Sequence, residues 1–386
     1  MNLKRSIAKR VNKIFKRNEV DPAIAPILNL YNTSYDKTVL VSYITLPFRN
    51  DNHFMHQNFI TSHIVAESFS ELGYNVDVVE YLDSYSVIDF DKYDVFFGMG
   101  IPFEKSFVEG DKKRPHIAFI TGAHQDLHNK MALRSLNRFY KLSELWLPAE
   151  ASVLPLNSYF SSFDSDASII LASGFIYDDY RSRYNGRLYS LNNNILGSFT
   201  GFKKKTISDR NKNFLFLSGR CVIQKGLSHF LKVAKARTDL NFYIVVPFMA
   251  VEFEDYYRDV LQSPNVFLHK NLSMDSAEMQ EIIEKCTYSV APSYVDGFPG
   301  GTIEPMSAGL IPIVSRYCGF PVKEFIFEME ELTTASLDAT INRVLSLDDK
   351  SYQTYSNAVA AYASKDFSFD YVKAELTNVL TQELTN

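Results

Sequence analysis

The sequence predicts an α/β protein built from two doubly wound parallel sheets. Three observations predict it. Short runs rich in β-branched and aromatic residues alternate with helical stretches along most of the chain, the pattern of parallel strands joined by crossover helices. The alternation breaks once, over residues 177–212, at a polar stretch rich in Asn and Lys, and then starts again. The 386 residues suffice for two to three domains at roughly 150 residues each, and the 46% of apolar residues can fill a large core.

In the first set, residues 38–45 (TVLVSYIT) form the leading strand, followed by a helix over 59–72 that Gly73 closes. Further strands fall at 75–81, 93–97 and 116–121, with later ones at 144–148 and 168–172. The second set places strands at 214–218, 241–246, 266–269, 288–291 and 311–315. Its helices fall at 226–236, 251–261, 276–286 and 302–308, and residues 336–384 read as further helices. Residues 21–37 hold prolines and polar residues and read as a linker. Two such domains facing each other leave a cleft at the carboxyl ends of both sheets, where ligands bind in open α/β folds.

Composition excludes several classes. No run approaches the ~20 apolar residues that a membrane-spanning helix needs, and the basic N-terminus is not followed by the apolar stretch of a secretory signal. Cys221, Cys286 and Cys318 match neither a metal pattern nor a disulfide framework, which fits a reducing cytoplasm. No other metal cluster is evident and no cofactor is expected. Net charge is −5, yet residues 1–17 carry seven Lys or Arg and no acid, leaving −12 on the rest. An acidic body argues against nucleic acid as a partner. Within residues 1–20, Leu3, Ile7, Val11, Ile14 and Phe15 recur at helical spacing among the cations, which suits the surface of an anionic membrane. A helix docked on the body, or a tail with accidental periodicity, is the other reading.

The richest stretch is 296–309, DGFPGGTIEPMSAG. An apolar strand precedes it and a helix follows. Asp296 and Glu304 flank a turn of Gly297, Phe298, Pro299, Gly300 and Gly301, and Thr302 lies in the helix start. Glycine lets backbone amides approach an anion closely, and a helix start adds unpaired N–H groups and a positive dipole end. The carboxylates can accept from hydroxyls. Phosphates together with hydroxyls describe a nucleotide sugar. A second stretch, 214–226 (FLFLSGRCVIQKG), runs from a strand through Gly219 and Arg220 to Lys225 and Gly226. Fixed cations of this kind stabilise the charge that grows on a diphosphate leaving group. A third, 117–126, is a strand followed by a loop with His124.

These stretches resemble the nucleotide-sugar motif of glycosyltransferase family 4, whose fold is the two-domain GT-B. The family pattern is a Glu, then Gly-Phe-Pro, then a second Glu; here Asp296 stands in place of the first Glu. The glycine-rich loop that many relatives carry after the first strand is absent, since residues 46–58 (LPFRNDNHFMHQN) hold no glycine; Arg49, Asn52 or His53 would then contact ligand through side chains. The resemblance implies that Arg220 and Lys225 hold the donor diphosphate, Asp296 and His124 the hexose, and Glu304 the ribose. Gly219, Phe298, Pro299, Gly300, Gly301 and Thr302 complete the donor-binding set. It also implies a first domain over 21–195 on the acceptor side, a donor-binding domain over 196–370, and a last helix, 371–386, that crosses back to the first domain.

The expected reaction moves a hexose from a nucleotide diphosphate sugar to a hydroxyl of a glycan or lipid-linked glycan, with retention. The context would be bacterial surface polysaccharide, such as lipopolysaccharide, at the inner face of the cytoplasmic membrane. Inversion would require a base, for which Asp126 or His124 is available. Other readings stay open: another GT-B enzyme such as an epimerase or phosphorylase, an inactive glycosyltransferase-like binding subunit, or a simple nucleotide-binding module.

Overall fold

The computed structural model describes residues 25–49, 56–154 and 159–385; the basic segment 1–17, Asn52 and His53 lie outside them. Two six-stranded sheets form. The first comes from β1 (Lys37–Tyr43), α1 (Gln57–Glu71), β2 (Tyr74–Glu80), β3 (Val95–Gly98), α2 (Gly100–Glu109), β4 (His116–Ile120), α3 (Gln125–Ser143), α4 (Tyr159–Phe163), β5 (Ala167–Ile170), α5 (Gly174–Arg181) and β6 (Arg187–Ser190). The second comes from β7 (Asn213–Leu217), α6 (Leu227–Ala236), β8 (Asn241–Val246), α7 (Val251–Tyr256), α8 (Arg258–Leu261), β9 (Val266–Lys270), α9 (Ala277–Lys285), β10 (Tyr288–Ala291), α10 (Gly300–Ser307), β11 (Ile311–Val314) and β12 (Phe327–Glu328). Three helices close the chain: α11 (Thr334–Leu345), α12 (Asp349–Asp366) and α13 (Phe369–Leu384).

The strand orders are β2-β1-β3-β4-β5-β6 and β12-β11-β10-β7-β8-β9, and the named strands pair in parallel. Helices on both faces bury the central strands completely, and β3, β5, β10 and β11 have no exposed residue, so they read as continuous apolar runs. Chain order reverses between β1 and β3 in one sheet and between β7 and β10 in the other. Those two switch points face the same cleft, where a doubly wound fold presents its ligand site.

The two units are locked together. On α3, Phe139 packs on Phe253 of α7 with ring centroids 5.3 Å apart. The buried Glu150 carboxylate accepts from the amides of Val222 (2.9 Å) and Ala250 (2.8 Å), both in the second unit. The last helix, α13, packs on α1. Lys373 reaches Glu67 (2.8 Å) and Glu71 (2.6 Å), and Val372, Leu376 and Leu380 enter the first sheet's core.

Some local expectations fail. Residues 144–148 are not a strand: Glu144 turns left-handed (φ 60°) to end α3, and Leu145 and Leu147 pack on a core cluster that both units share. Residues 177–212 are not all irregular, because they hold the end of α5 and the strand β6. Two cations of this polar stretch are firmly engaged. Lys205 is buried and donates to the Glu284 carbonyl at 2.8 Å. Arg210 donates to the carbonyls of Leu345 and Leu347 and pairs with Asp349.

Candidate active site

The site grows from two loops at the switch point of the second sheet. After β7 the chain runs through Gly219 and Arg220, both exposed, to Lys225 and Gly226. Gly226 has φ +82°, and a Cβ there would collide with the Pro292 carbonyl. Only glycine permits that approach, and it fixes this loop against the one after β10. There the amide of Tyr294 donates to the Gln224 carbonyl at 2.9 Å. The result is an ion pair: Lys225 Nζ lies 2.5 Å from Asp296 Oδ2, at 24% and 15% side-chain exposure. The two motifs, read separately in the sequence, meet in one contact.

The first unit brings two histidines to this pair. His56 stands at the N-terminus of α1, where its Nδ1 accepts from the amide of Asn58. His128, on the first turn of α3, holds the Ser152 carbonyl through Nε2 at 2.9 Å. Crowding by the cleft walls holds both imidazoles below their ordinary pKa, and the nearby Lys225 cation adds to the effect. Both are therefore neutral near pH 7 and can donate or accept at a sugar hydroxyl.

Helix α10 starts at Gly300, capped by Pro299. A Cβ at Gly301 would meet the Leu217 carbonyl, and one at Gly300 would meet the Gln57 amide. The helix start thus presses against β7, and Gln57 covers it from the first unit. Phe298 takes a left-handed backbone (φ 41°) and packs its ring on Phe320 and Phe367. It anchors the turn in the core and does not face the cleft. Thr302 is likewise buried.

Glu304 is fully buried. Gln57 Nε2 donates to its Oε1, and Oε2 has no partner among the described residues. Burial pushes this carboxyl well above the ordinary range, against the opposing pull of the Gln57 hydrogen bond and of the nearby Leu196 amide. A buried acceptor left unpaired is costly, so the cleft holds a place where a donor group is wanted.

His124 departs from its expected setting. Its Nδ1 accepts from the Asp126 amide at 3.3 Å and caps α3, while the ring packs on Tyr180 (5.3 Å) and Phe163 (5.9 Å) inside the first unit. The sequence reading passed over His128, one helical turn further on, and over Gln57. The His-x-x-x-His spacing at the start of α3 was the available signal for the first. Arg220 is exposed and free of any ion pair among the described residues. The same residues contain no cluster of three or more metal-ligating side chains.

Residues 198–358 match the family model described as glycosyl transferases group 1. That span holds Arg220, Lys225, Asp296 and Glu304. Among solved structures, sucrose-phosphate synthase from Thermosynechococcus elongatus aligns at 12% identity and a TM-score of 0.61, covering 90% of this chain and 99% of that one. Anabaena Alr3699/HepE in complex with UDP aligns at 13% identity and 0.56, covering 90% and 100%. WaaG, a glycosyltransferase involved in lipopolysaccharide biosynthesis, aligns at 12% and 0.52, covering 89% and 99%. No curated protein matches the chain. At these identities the structural likeness establishes the fold, which is GT-B, and the match over 198–358 supplies the class. Residues 198–358 thus carry the group 1 glycosyl transferase pattern within a GT-B fold that spans the described residues.

Proposed function

We propose that this enzyme transfers a hexose, with retention, from a nucleotide diphosphate sugar to a hydroxyl of a glycan or lipid-linked glycan. The observation that carries the reading is the Lys225–Asp296 pair at the switch point, with Arg220 on the same loop as Lys225 and α10 starting four residues after Asp296. The diphosphate would lie between Arg220, Lys225 and the amides of Gly300 and Gly301. The hexose would extend toward Asp296, His56 and His128. The ribose would take the place of Gln57 on Glu304. Departure of the diphosphate concentrates negative charge where Lys225 and Arg220 stand, which is where preorganised cations lower a barrier.

Retention is the reading kept, since the two bases that the sequence offers for inversion are engaged elsewhere. His124 is buried as a helix cap, and Asp126 is exposed and within 3.5 Å of Arg183. The leaving diphosphate would then take the acceptor proton on the same face, and the protein supplies positioning. UDP, bound in the HepE structure, is the first nucleotide to try. Thermal-shift titration with UDP, GDP, dTDP, ADP and CMP, alone and as sugar conjugates, tests the reading. One nucleotide diphosphate should stabilise the fold, and its sugar conjugate should stabilise it more. No shift with any of them would refute the donor site.

A membrane-side role in surface polysaccharide assembly rests on the basic segment 1–17 and on the likeness to WaaG. No described helix is long and apolar enough to cross a membrane. Deleting residues 1–17 should abolish sedimentation with anionic liposomes and leave hydrolysis of a soluble donor intact; equal sedimentation would remove the anchor.

A further inference from the structure

A cavity of 520 Å³ opens at the β11–β12 end of the cleft, away from the diphosphate loops. One wall is α3 of the first unit. The other is made by residues 315–317, which follow β11, and 329–333, which follow β12. Both segments leave the carboxyl ends of their strands, so the cavity belongs to the ligand face of the sheet.

Four cations line it. Arg134, Arg138 and Lys141 recur along one stripe of α3 at the spacing that places side chains on one face, and Arg316 faces them from the loop after β11. Glu330 and Glu331 are the only carboxylates in the lining, which leaves cations in excess. Among the described residues, none of the four cations is within ion-pair distance of a carboxylate. Two are already held in place. Arg138 donates to the Leu332 carbonyl at 2.8 Å, and the Arg316 guanidinium lies 4.0 Å over the Phe175 ring, a stacking geometry that fixes its plane. Behind the wall, burial drives the His229 pKa down to about 4, and the cations Arg138 and Lys232 push the same way.

The cavity joins the donor site through Tyr317. This residue lines the cavity, and its carbonyl accepts the Asp296 amide at 2.8 Å. A ligand here would therefore sit beside the sugar end of the donor and away from its phosphates, which have Arg220 and Lys225. We propose that the cavity binds the anionic group, phosphate or carboxylate, of the acceptor saccharide. The assignment to an acceptor rests on the transferase reading above. Arginine forks suit either group, since both present paired oxygens, and the volume falls in the range of small-ligand pockets.

The test is calorimetric titration of the full chain with glucose 6-phosphate, glucuronate, inorganic phosphate and neutral glucose, each with and without saturating nucleotide diphosphate. It is repeated on Arg134→Ala/Arg316→Ala, both exposed positions outside the donor site. The expected result is that one charged sugar binds at least about tenfold tighter than glucose, weakens about tenfold in the double variant, and weakens with salt. Nucleotide affinity should stay the same in the variant. The better of the two charged sugars then names the group. Equal binding of glucose and the charged sugars, or equal binding by wild type and variant, would overturn the proposal, as would inorganic phosphate binding alone. If the charged sugars bind but no nucleotide diphosphate does, the anion site stands and its assignment to an acceptor falls.

Discussion

Replacing Lys225 by Ala separates what the Lys225–Asp296 pair does for stability from what it does for catalysis. Both side chains are partly exposed, and the pair is a single contact of 2.5 Å. Partly solvated ion pairs contribute about 0.2–1 kcal/mol. Asp296 keeps the Gly297 amide on its other oxygen at 3.1 Å, so the variant is not left with a stranded carboxylate. The expected stability loss is therefore under about 1 kcal/mol, within ordinary surface changes. Catalysis should respond very differently. A preorganised charge aimed at a developing anion is typically worth about 2.7–4 kcal/mol, and each 1.36 kcal/mol is roughly a factor of ten in rate. Turnover of the donor should fall by about two to three orders of magnitude. The assay is release of nucleotide diphosphate from the matched donor under saturating conditions, alongside urea unfolding of the same preparation. Turnover within about twofold of wild type would remove Lys225 from the leaving-group site and refute the reasoning. A large loss of both stability and turnover would refute it too, because the pair would then be structural.

Three further outcomes follow from the same geometry. Glu304 has a carboxyl pushed above the ordinary range by burial; a raised acid costs most stability above its folded-state pKa, and the cost shrinks as pH falls from there and is gone below the ordinary carboxyl pKa of the unfolded chain. Glu304→Gln should thus raise the melting temperature most at alkaline pH, with the gain shrinking toward acid, while nucleotide affinity falls; a gain independent of pH would contradict the buried charge. Gly226→Ala should lose about 1–3 kcal/mol from its left-handed backbone alone, with more from the collision with the Pro292 carbonyl, and urea unfolding reads the sum. Leu376→Ala, fully buried on α13 in the first sheet's core, should cost about 2–5 kcal/mol; a loss under about 1 kcal/mol would mean that α13 is only loosely attached.

The parts of this protein legible in sequence are those written locally. The strands at 241–246 and 288–291 follow from their own residues, because burial on both faces demands a continuous apolar run. Lys225–Gly226 and Asp296–Gly301 were readable because strand, glycine and helix start lie side by side in the chain. What failed depended on distant partners. Residues 144–148 carry the composition of a strand, yet their leucines are claimed by a core cluster that both units share. Gln57 meets Glu304 across 247 positions of sequence, and no local pattern marks a glutamine as that partner. His124 and His128 differ by one helical turn, and only packing on Tyr180 and Phe163 decides which of them turns inward.

The missing glycine loop and the buried Glu304 are two sides of one arrangement. A glycine loop would offer backbone amides to the donor. The segment after β1 offers instead the α1 N-terminus, with the Gln57 amide lying over Gly300 and bonded to Glu304. On the proposed reading, a donor ribose on Glu304 would displace Gln57. The exchange is inexpensive, because one hydrogen bond to the carboxylate replaces another. It can even be favourable, since two ribose hydroxyls would satisfy both oxygens, whereas Gln57 leaves Oε2 unpaired. The same displacement would free Gln57 to turn toward the phosphates, where its amide would do the work of the absent loop.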